Sequence, residues 1–237
     1  MKRSLWYPVI CAGLVMSCAA PDEALVDDPS AEPVAAQASE VDAATIAALL
    51  SKTTTCNVAS NGKYKKDSEV GATVNICALN GGFFWKADMD IDCDGKRTSV
   101  CNENTDPWYY DDTSSHDSHG NPLDASKLPY VVIPLPSSRF KYQQRGIKLG
   151  QVVAVIYNGK LKFGVFGDEG PDDMIGEASN AMANALGIPS NPETGGVDSG
   201  VTYFVFTGND AVVHKLEDTA EAASIGATRV TRLLQQN

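Results

Sequence analysis

The 237-residue sequence lacks the motifs of several common enzyme and binding classes. It has only three histidines and no Gly-x-Ser-x-Gly elbow, so a serine hydrolase is not supported, even though Ser199 lies between an aspartate and a glycine. It has no Cys-x-x-Cys pair, which makes zinc a weak explanation of its cysteines. Basic residues are scarce, since 19 Lys and Arg stand against 30 Asp and Glu for a formal net charge of -11. Such a chain repels nucleic acid and suits a neutral or cationic partner.

The N-terminus has no apolar run long enough to span a bilayer permanently, because residues 5–16 are too few. This short run follows two basic residues and ends at Leu14-Val-Met-Ser-Cys18, which resembles the bacterial lipobox. We therefore expect lipidation at Cys18, and Ala19 points away from retention in the inner membrane. The alternative is an ordinary secretory signal cut nearby, with Cys18 incidental.

The chain divides into three predicted parts. Residues 1–17 form the signal peptide, and residues 18–41 form a flexible acidic linker rich in Ala and Pro. Residues 42–237 form one folded domain, which is long enough to bury a sizeable core. The protein is expected to be exported, either anchored at the outer membrane or secreted, and to be a monomer.

Four cysteines remain beyond the signal and Cys18, and an even number in an exported chain favours two disulfides. Three connectivities are possible. We predict the two pairs that close short local loops, which are Cys56–Cys77 and Cys93–Cys101.

The pattern of apolar residues predicts a mainly β (α+β) domain, a compact barrel or sandwich with a few peripheral helices. Asn-Gly between two strand-like runs in Tyr157-Asn-Gly-Lys160 predicts a hairpin turn. Three helices are expected at residues 41–52, 177–186 and 220–234, although Gly226 weakens the last of them. The strand-like runs lie at residues 73–79, 130–134, 152–157, 160–166 and 201–207.

An acidic segment follows the aromatic residues at 83–85. Four aspartates alternate here, so a strand would project them from one side, where like charges repel each other. They need a cation, a positively charged ligand or full exposure to water. An EF-hand is not supported because its last ligand would fall on Cys101, which leaves a looser calcium site, a solvated edge strand or a subsite for a polycationic sugar. The residues concerned are Asp88, Asp90, Asp92 and Asp94, and the first three are predicted to bind substrate.

Aromatic side chains near these acids offer flat faces on which sugar rings can stack. Trp85 and Tyr109 are the candidates predicted to bind substrate, beside Trp108 and Tyr110. The alternative for any one of them is core packing. Because Tyr109 and Tyr110 precede two aspartates, we expect at least one of the two rings to be exposed.

Two further carboxylates occupy the ends of neighbouring elements. Asp168 follows a strand-like run directly, and Glu177 lies nine residues later at the start of a predicted helix. Two carboxylates that face each other across a cleft are the minimum for acid/base hydrolysis of a glycosidic bond. Asp168 and Glu177 are therefore the candidate catalytic residues.

At these residues the chain resembles the family 75 glycoside hydrolases, the fungal-type chitosanases. The resemblance covers about residues 53 to 207. It rests on Ala87-Asp-Met-Asp-Ile-Asp-Cys-Asp-Gly95, Gly159-Lys-Leu-Lys-Phe-Gly-Val-Phe-Gly-Asp168, Ile175-Gly-Glu-Ala-Ser179 and Gly196-Val-Asp-Ser-Gly-Val201. Asp198, in the last of these motifs, is added as a candidate for substrate binding.

The resemblance implies endo-hydrolysis of β-1,4-linked glucosamine in chitosan with inversion, and it places the catalytic pair on Asp168 and Glu177. It assigns Glu177 as acid and Asp168 as base. A helix N-terminus would stabilise the ionised form of Glu177, whereas the acidic neighbours of Glu177 would raise the pKa of its carboxyl. The sequence therefore does not decide which of the two residues is the acid and which is the base. No cofactor or metal is implied. Two other functions remain possible, a non-catalytic polysaccharide-binding module and a calcium-stabilised structural domain.

Overall fold

A computed structural model of the protein describes residues 41–237. The predicted signal peptide, Cys18 and nearly all of the predicted linker lie outside the described residues. The strands are β1 (Asn57–Val58), β2 (Cys77–Leu79), β3 (Gly82–Asp92), β4 (Tyr130–Pro134), β5 (Val152–Tyr157), β6 (Lys160–Gly170), β7 (Glu177–Ser179) and β8 (Val197–Phe206). The helices are α1 (Ala43–Ser51), α2 (Asn180–Leu186) and α3 (Thr219–Gln236), with short 3-10 helices at Tyr142–Arg145 and Asn209–Ala211. None of the helices among these residues is both long and apolar enough to cross a membrane.

Six strands close into a barrel in the order β3-β7-β4-β6-β5-β8, and β8 pairs back with β3. β3 pairs with β7 and β4 with β6 in parallel, while the other pairs in the barrel are antiparallel. β1 and β2 extend the sheet beside the first half of β3. The fold is therefore mainly β with a barrel at its centre, as the sequence predicts.

The β5–β6 hairpin confirms the predicted turn. Asn158 and Gly159 have φ values of 46° and 75°, the left-handed conformation that a type I′ turn requires of both central residues. Tyr157 pairs with Lys160 across the turn, so the register is fixed from its first pair.

Two hydrophobic clusters stabilise the barrel. One draws side chains from all six barrel strands, and the other packs between the outer face and helices α1 and α3. Helix α3 packs closely against Phe163 of β6 because residue 226 is a glycine. A Cβ at this position would lie 2.2 Å from Cδ1 of Phe163. The glycine that weakens the helix in the sequence is thus a contact point for packing.

Both predicted disulfides are present, Cys56–Cys77 and Cys93–Cys101. The second joins the end of β3 to the loop that follows it. The predicted helix at residues 177–186 is corrected at its start. Glu177 belongs to β7, and α2 begins at Asn180 with the Ser179 hydroxyl as its N-cap.

Candidate functional site

The candidate catalytic residues lie in one row across four adjacent strands. Asp90 on β3 pairs with Glu177 on β7. Val131 on β4 pairs with Ala178 in antiparallel register, which sets Val132 beside Glu177, and Val132 in turn pairs with Asp168 on β6. Side chains of directly paired residues project from the same face of a sheet. The row therefore presents three carboxylates on one face, with Val132 between the two candidates.

Strand spacing gives the separation of the candidate pair. Two inter-strand steps of about 4.8 Å separate the Asp168 and Glu177 backbones by about 9–10 Å. The Glu177 carboxylate extends over this gap, since a Cβ built on Gly170 of β6 would lie 3.4 Å from its Oε2. The Glu177 carboxylate therefore lies against β6, the strand that carries Asp168.

Asp168 is only 6% exposed and is held by the backbone. Its Oδ1 accepts hydrogen bonds from the N–H groups of Ser114 at 2.7 Å and Glu169 at 2.8 Å. Burial raises the pKa of Asp168, and these N–H donors oppose the rise because they stabilise the ionised form. The arrangement fixes the carboxylate in position and limits the rise in its pKa.

Glu177 is also buried, but negative charges rather than N–H donors surround it. Burial, followed by the negative charges of Asp90, Asp94 and Asp168, raises the pKa of Glu177 to about 8. The helix effect considered from the sequence does not apply, because α2 starts only after the Ser179 cap. The pair therefore has unequal basicity, with Glu177 the better proton carrier near neutral pH.

Asp92 and Asp94 lie close to Asp168. Asp92 is 4% exposed, and its Oδ1 accepts the N–H of Asp94, while Oδ2 has no hydrogen-bond partner. Asp94 accepts the N–H of Tyr110, and burial raises its pKa to about 6. One oxygen from each of Asp92, Asp94 and Asp168 lies within 4.8 Å of the others, so these three are the described residues that could surround a cation. Each already accepts a backbone N–H, which partly offsets its charge.

The hypothesis that the acidic segment is a solvated edge strand is wrong, because β3 has neighbouring strands on both edges. An EF-hand loop is also absent here, since Asp90 and Asp92 lie within the strand. Asp88 is buried against Gly176, where burial and the charge of Asp90 raise its pKa to about 7. Asp88 and Asp92 are 5% and 4% exposed, about as buried as Asp168, and their contacts with substrate stay predictions.

Asp90 and Asp198 are the predicted binding residues that remain exposed among the aspartates. Asp198 is the second residue of β8, next to the Met89–Val197 pair, and so lies near Asp90. The two carboxylates therefore extend the acidic row toward β8.

The predicted role of Trp85 in stacking on sugar is wrong. Its side chain is 1% exposed inside the barrel and stacks on Tyr203 with ring centroids 5.3 Å apart. The side chain of Tyr109 is also tied down, since its hydroxyl donates to the Gly95 carbonyl at 2.7 Å. The exposed rings are Trp108 and Tyr110, at 89% and 62%, so the expected exposure of one tyrosine is confirmed.

A cleft of about 250 Å³ opens beside Asp168. Its lining residues are Asp94, Tyr110, Asp112, Thr113, Ser114, Asp168 and Glu169. Sequence reasoning missed Ser114, because it acts through its backbone N–H and no side-chain pattern marks it. Trp108 and Tyr110 were noted from the sequence as rings near the aspartates, but they were not among the residues predicted to bind substrate.

A β-barrel that carries two carboxyls of unequal basicity beside an acidic cleft has the equipment of a glycoside hydrolase. Comparison with known families supports that class. A family described as fungal chitosanase of glycosyl hydrolase group 75 matches residues 89–235. The chain belongs to this family.

The curated proteins to which this chain is similar are endo-chitosanases. Endo-chitosanase B of Aspergillus oryzae is 36% identical over 168 residues, covering 66% of this chain and 69% of its own length. An endo-chitosanase of Aspergillus fumigatus is 34% identical over 170 residues, covering 65% of this chain and 71% of its own. Among solved structures, Streptomyces papain inhibitor aligns with 54% of this chain and 99% of its own at 22% identity. Its TM-score of 0.31 does not establish a shared fold.

Proposed function

We propose that the protein hydrolyses internal β-1,4 bonds between glucosamine residues of chitosan by an inverting, two-carboxylate mechanism. The observation that carries the proposal is the row in which Asp168 and Glu177 flank Val132, with N–H donors only on Asp168 opposing the rise in pKa that burial causes in both carboxyls. Family membership and the endo-chitosanase relatives support the substrate class. A net charge of -11 also suits a polycationic polymer.

In this mechanism Glu177 is the general acid and Asp168 the general base. Glu177 holds a proton below about pH 8 and gives it to the leaving glycosidic oxygen. Asp168, held by two N–H donors, takes a proton from water on the opposite face of the sugar. Inverting enzymes need about 6.5–9.5 Å between the carboxyls to admit that water, and a two-strand separation is compatible with this range.

The test is product analysis on chitosan with the oxidised protein. Endo-hydrolysis releases reducing ends while the viscosity falls quickly, and NMR of the first products would find the inverted anomer. Binding without product would support a non-catalytic polysaccharide-binding module instead. A melting temperature that falls on chelation would support a calcium-stabilised structural domain.

The pH profile of kcat/KM should report both carboxyls. Activity requires protonated Glu177, so it falls as pH rises through about 8. It also requires ionised Asp168, so it falls as pH drops through the pKa of Asp168, which burial places above the ordinary aspartate value. In Asp94→Asn one negative neighbour is lost, and the alkaline limb should move to lower pH. An alkaline limb near the ordinary glutamate pKa of about 4.3 would contradict the raised pKa of Glu177.

We propose that Asp90 holds a glucosamine ammonium next to Glu177. Asp90→Asn should then lower kcat/KM on chitosan by about 10- to 100-fold, the range for losing a hydrogen bond between charged groups. Glu193→Gln, an exposed acid outside the row, is the matched control. Fully acetylated chitin lacks the cation and should be a poor substrate. Equal loss of melting temperature and activity in Asp90→Asn would make Asp90 structural.

We also propose that the protein works outside the cytoplasm as a monomer, tethered through lipidated Cys18 or secreted. Residues 42–237 would form the single catalytic domain, held away from the membrane by the linker. The two disulfides are consistent with an oxidising compartment.

A further inference from the structure

The segment 106–112, called here the aromatic loop, presents two large rings to solvent. Trp108 is 89% exposed and Tyr110 is 62% exposed. Leaving so much apolar ring surface in water forgoes the favourable free energy of burial. Two exposed rings in one short loop therefore indicate a binding surface more strongly than isolated surface hydrophobic residues do, since such residues are common.

Hydrogen bonds hold this loop in place. The N–H of Trp108 donates to the Asp106 carboxylate at 2.9 Å. The N–H of Tyr110 donates to Asp94 at 2.7 Å, and its carbonyl accepts the N–H of Gly95 at 2.9 Å. The loop is thus joined to the end of β3, which the Cys93–Cys101 disulfide also secures. The rings are presented at little further entropic cost, because their backbone is already ordered.

The loop is continuous with the proposed catalytic site. Tyr110 lines the same cleft as Asp168. The Asp94 carboxylate accepts the N–H of Tyr110 and lies close to the carboxylates of Asp92 and Asp168. A chain that reaches Asp168 along this cleft passes the aromatic loop.

The charges around the rings select the kind of ligand. The aromatic loop contains Asp106, Asp111 and Asp112 and no basic residue. Aromatic faces take up sugar rings and attract ammonium groups, and neighbouring carboxylates add to that attraction. The combination suits a cationic amino sugar.

We propose that Trp108 and Tyr110 form a binding platform for glucosamine units of the polymer that lie away from the bond being cut. This proposal rests on the proposed function for its substrate, but it concerns binding. The platform would lower KM for long chains and would not contribute to catalysis on chains too short to reach it.

The experiment separates binding from turnover. The Glu177→Gln protein, alone and with Trp108→Ala plus Tyr110→Ala, is titrated with soluble chitosan polymer. We expect the double substitution to weaken binding by about 3- to 30-fold, since aromatic contacts contribute modestly and add up. In the otherwise wild-type enzyme, KM for polymer should rise by a similar factor, and kcat/KM should fall more on polymer than on short oligomers. Trp108→Phe in place of Trp108→Ala should restore part of the loss.

Val100→Ala is the control, because Val100 is 43% exposed near the disulfide and outside the cleft. It should bind polymer like the parent protein. Unchanged binding in the double variant overturns the platform, as does an equal loss on short oligomers. If the wild type binds chitosan without cutting it, the proposed function fails, and the binding titration still decides the platform.

Discussion

Asp168→Asn and Glu177→Gln should each reduce chitosan hydrolysis by about 10²- to 10⁴-fold, the usual contribution of a general acid or base. Both changes keep the side-chain volume and remove the ability to exchange a proton. The Asp168→Asn protein should still fold, because an amide oxygen can accept the N–H bonds that the carboxylate accepts from Ser114 and Glu169. Initial rates of reducing-end release measure the effect.

Asp172→Asn is the matched control, since it makes the same chemical change on an exposed residue between the two motifs. It should keep wild-type activity. All three proteins should melt close to the parent temperature. Near-normal turnover in either active-site variant would remove that residue from the mechanism.

Trp85→Ala should lower the free energy of unfolding by about 3–5 kcal/mol, the range for deleting a buried large aromatic side chain. Trp85 is 1% exposed and stacks on Tyr203 within the barrel, so its loss leaves a cavity that the strands cannot easily close. Urea unfolding followed by circular dichroism measures the change.

The paired variant Trp108→Ala removes the same side chain from an 89% exposed position. It should change stability by less than about 0.5 kcal/mol, as is usual on the surface. Equal destabilisation by the two variants would contradict the positions of these tryptophans. A Trp85→Ala protein with normal stability and a raised KM would restore the sugar-stacking role predicted for it.

Local signals predicted much of the fold. β4 and β5 match the predicted runs at residues 130–134 and 152–157, because continuous apolar runs bounded by turns favour buried strands. The Asp42 carboxylate caps α1 by accepting the N–H of Thr45, and aspartate is a preferred residue at this position. The helix predicted at 177–186 began too early because the pairing of Glu177 with Asp90, more than 80 positions away, overrides its local pattern. Barrel closure is likewise a long-range property.

The sequence predicts the residue types of the candidate site better than it predicts which of those side chains are exposed. Asp168 and Glu177 could be proposed because their motifs are local in sequence. The period-two pattern placed Asp88, Asp90 and Asp92 on one side of a strand, but it contains no information about what covers that side. Trp85 and Trp108 have the same chemistry, and only tertiary packing separates the buried ring from the exposed one. Ser114 contributes a backbone N–H, which every non-proline residue has.

The row of carboxylates is assembled from β3, β7 and β6, three stretches separated along the chain. None of these strands brings two of the three carboxylates together by itself, so the reactive arrangement exists only once β4 has joined β7 to β6. Recovery of hydrolysis during refolding would therefore report when this part of the sheet closes, whereas circular dichroism reports the secondary structure of the whole domain. A newly made chain would remain inactive until that closure.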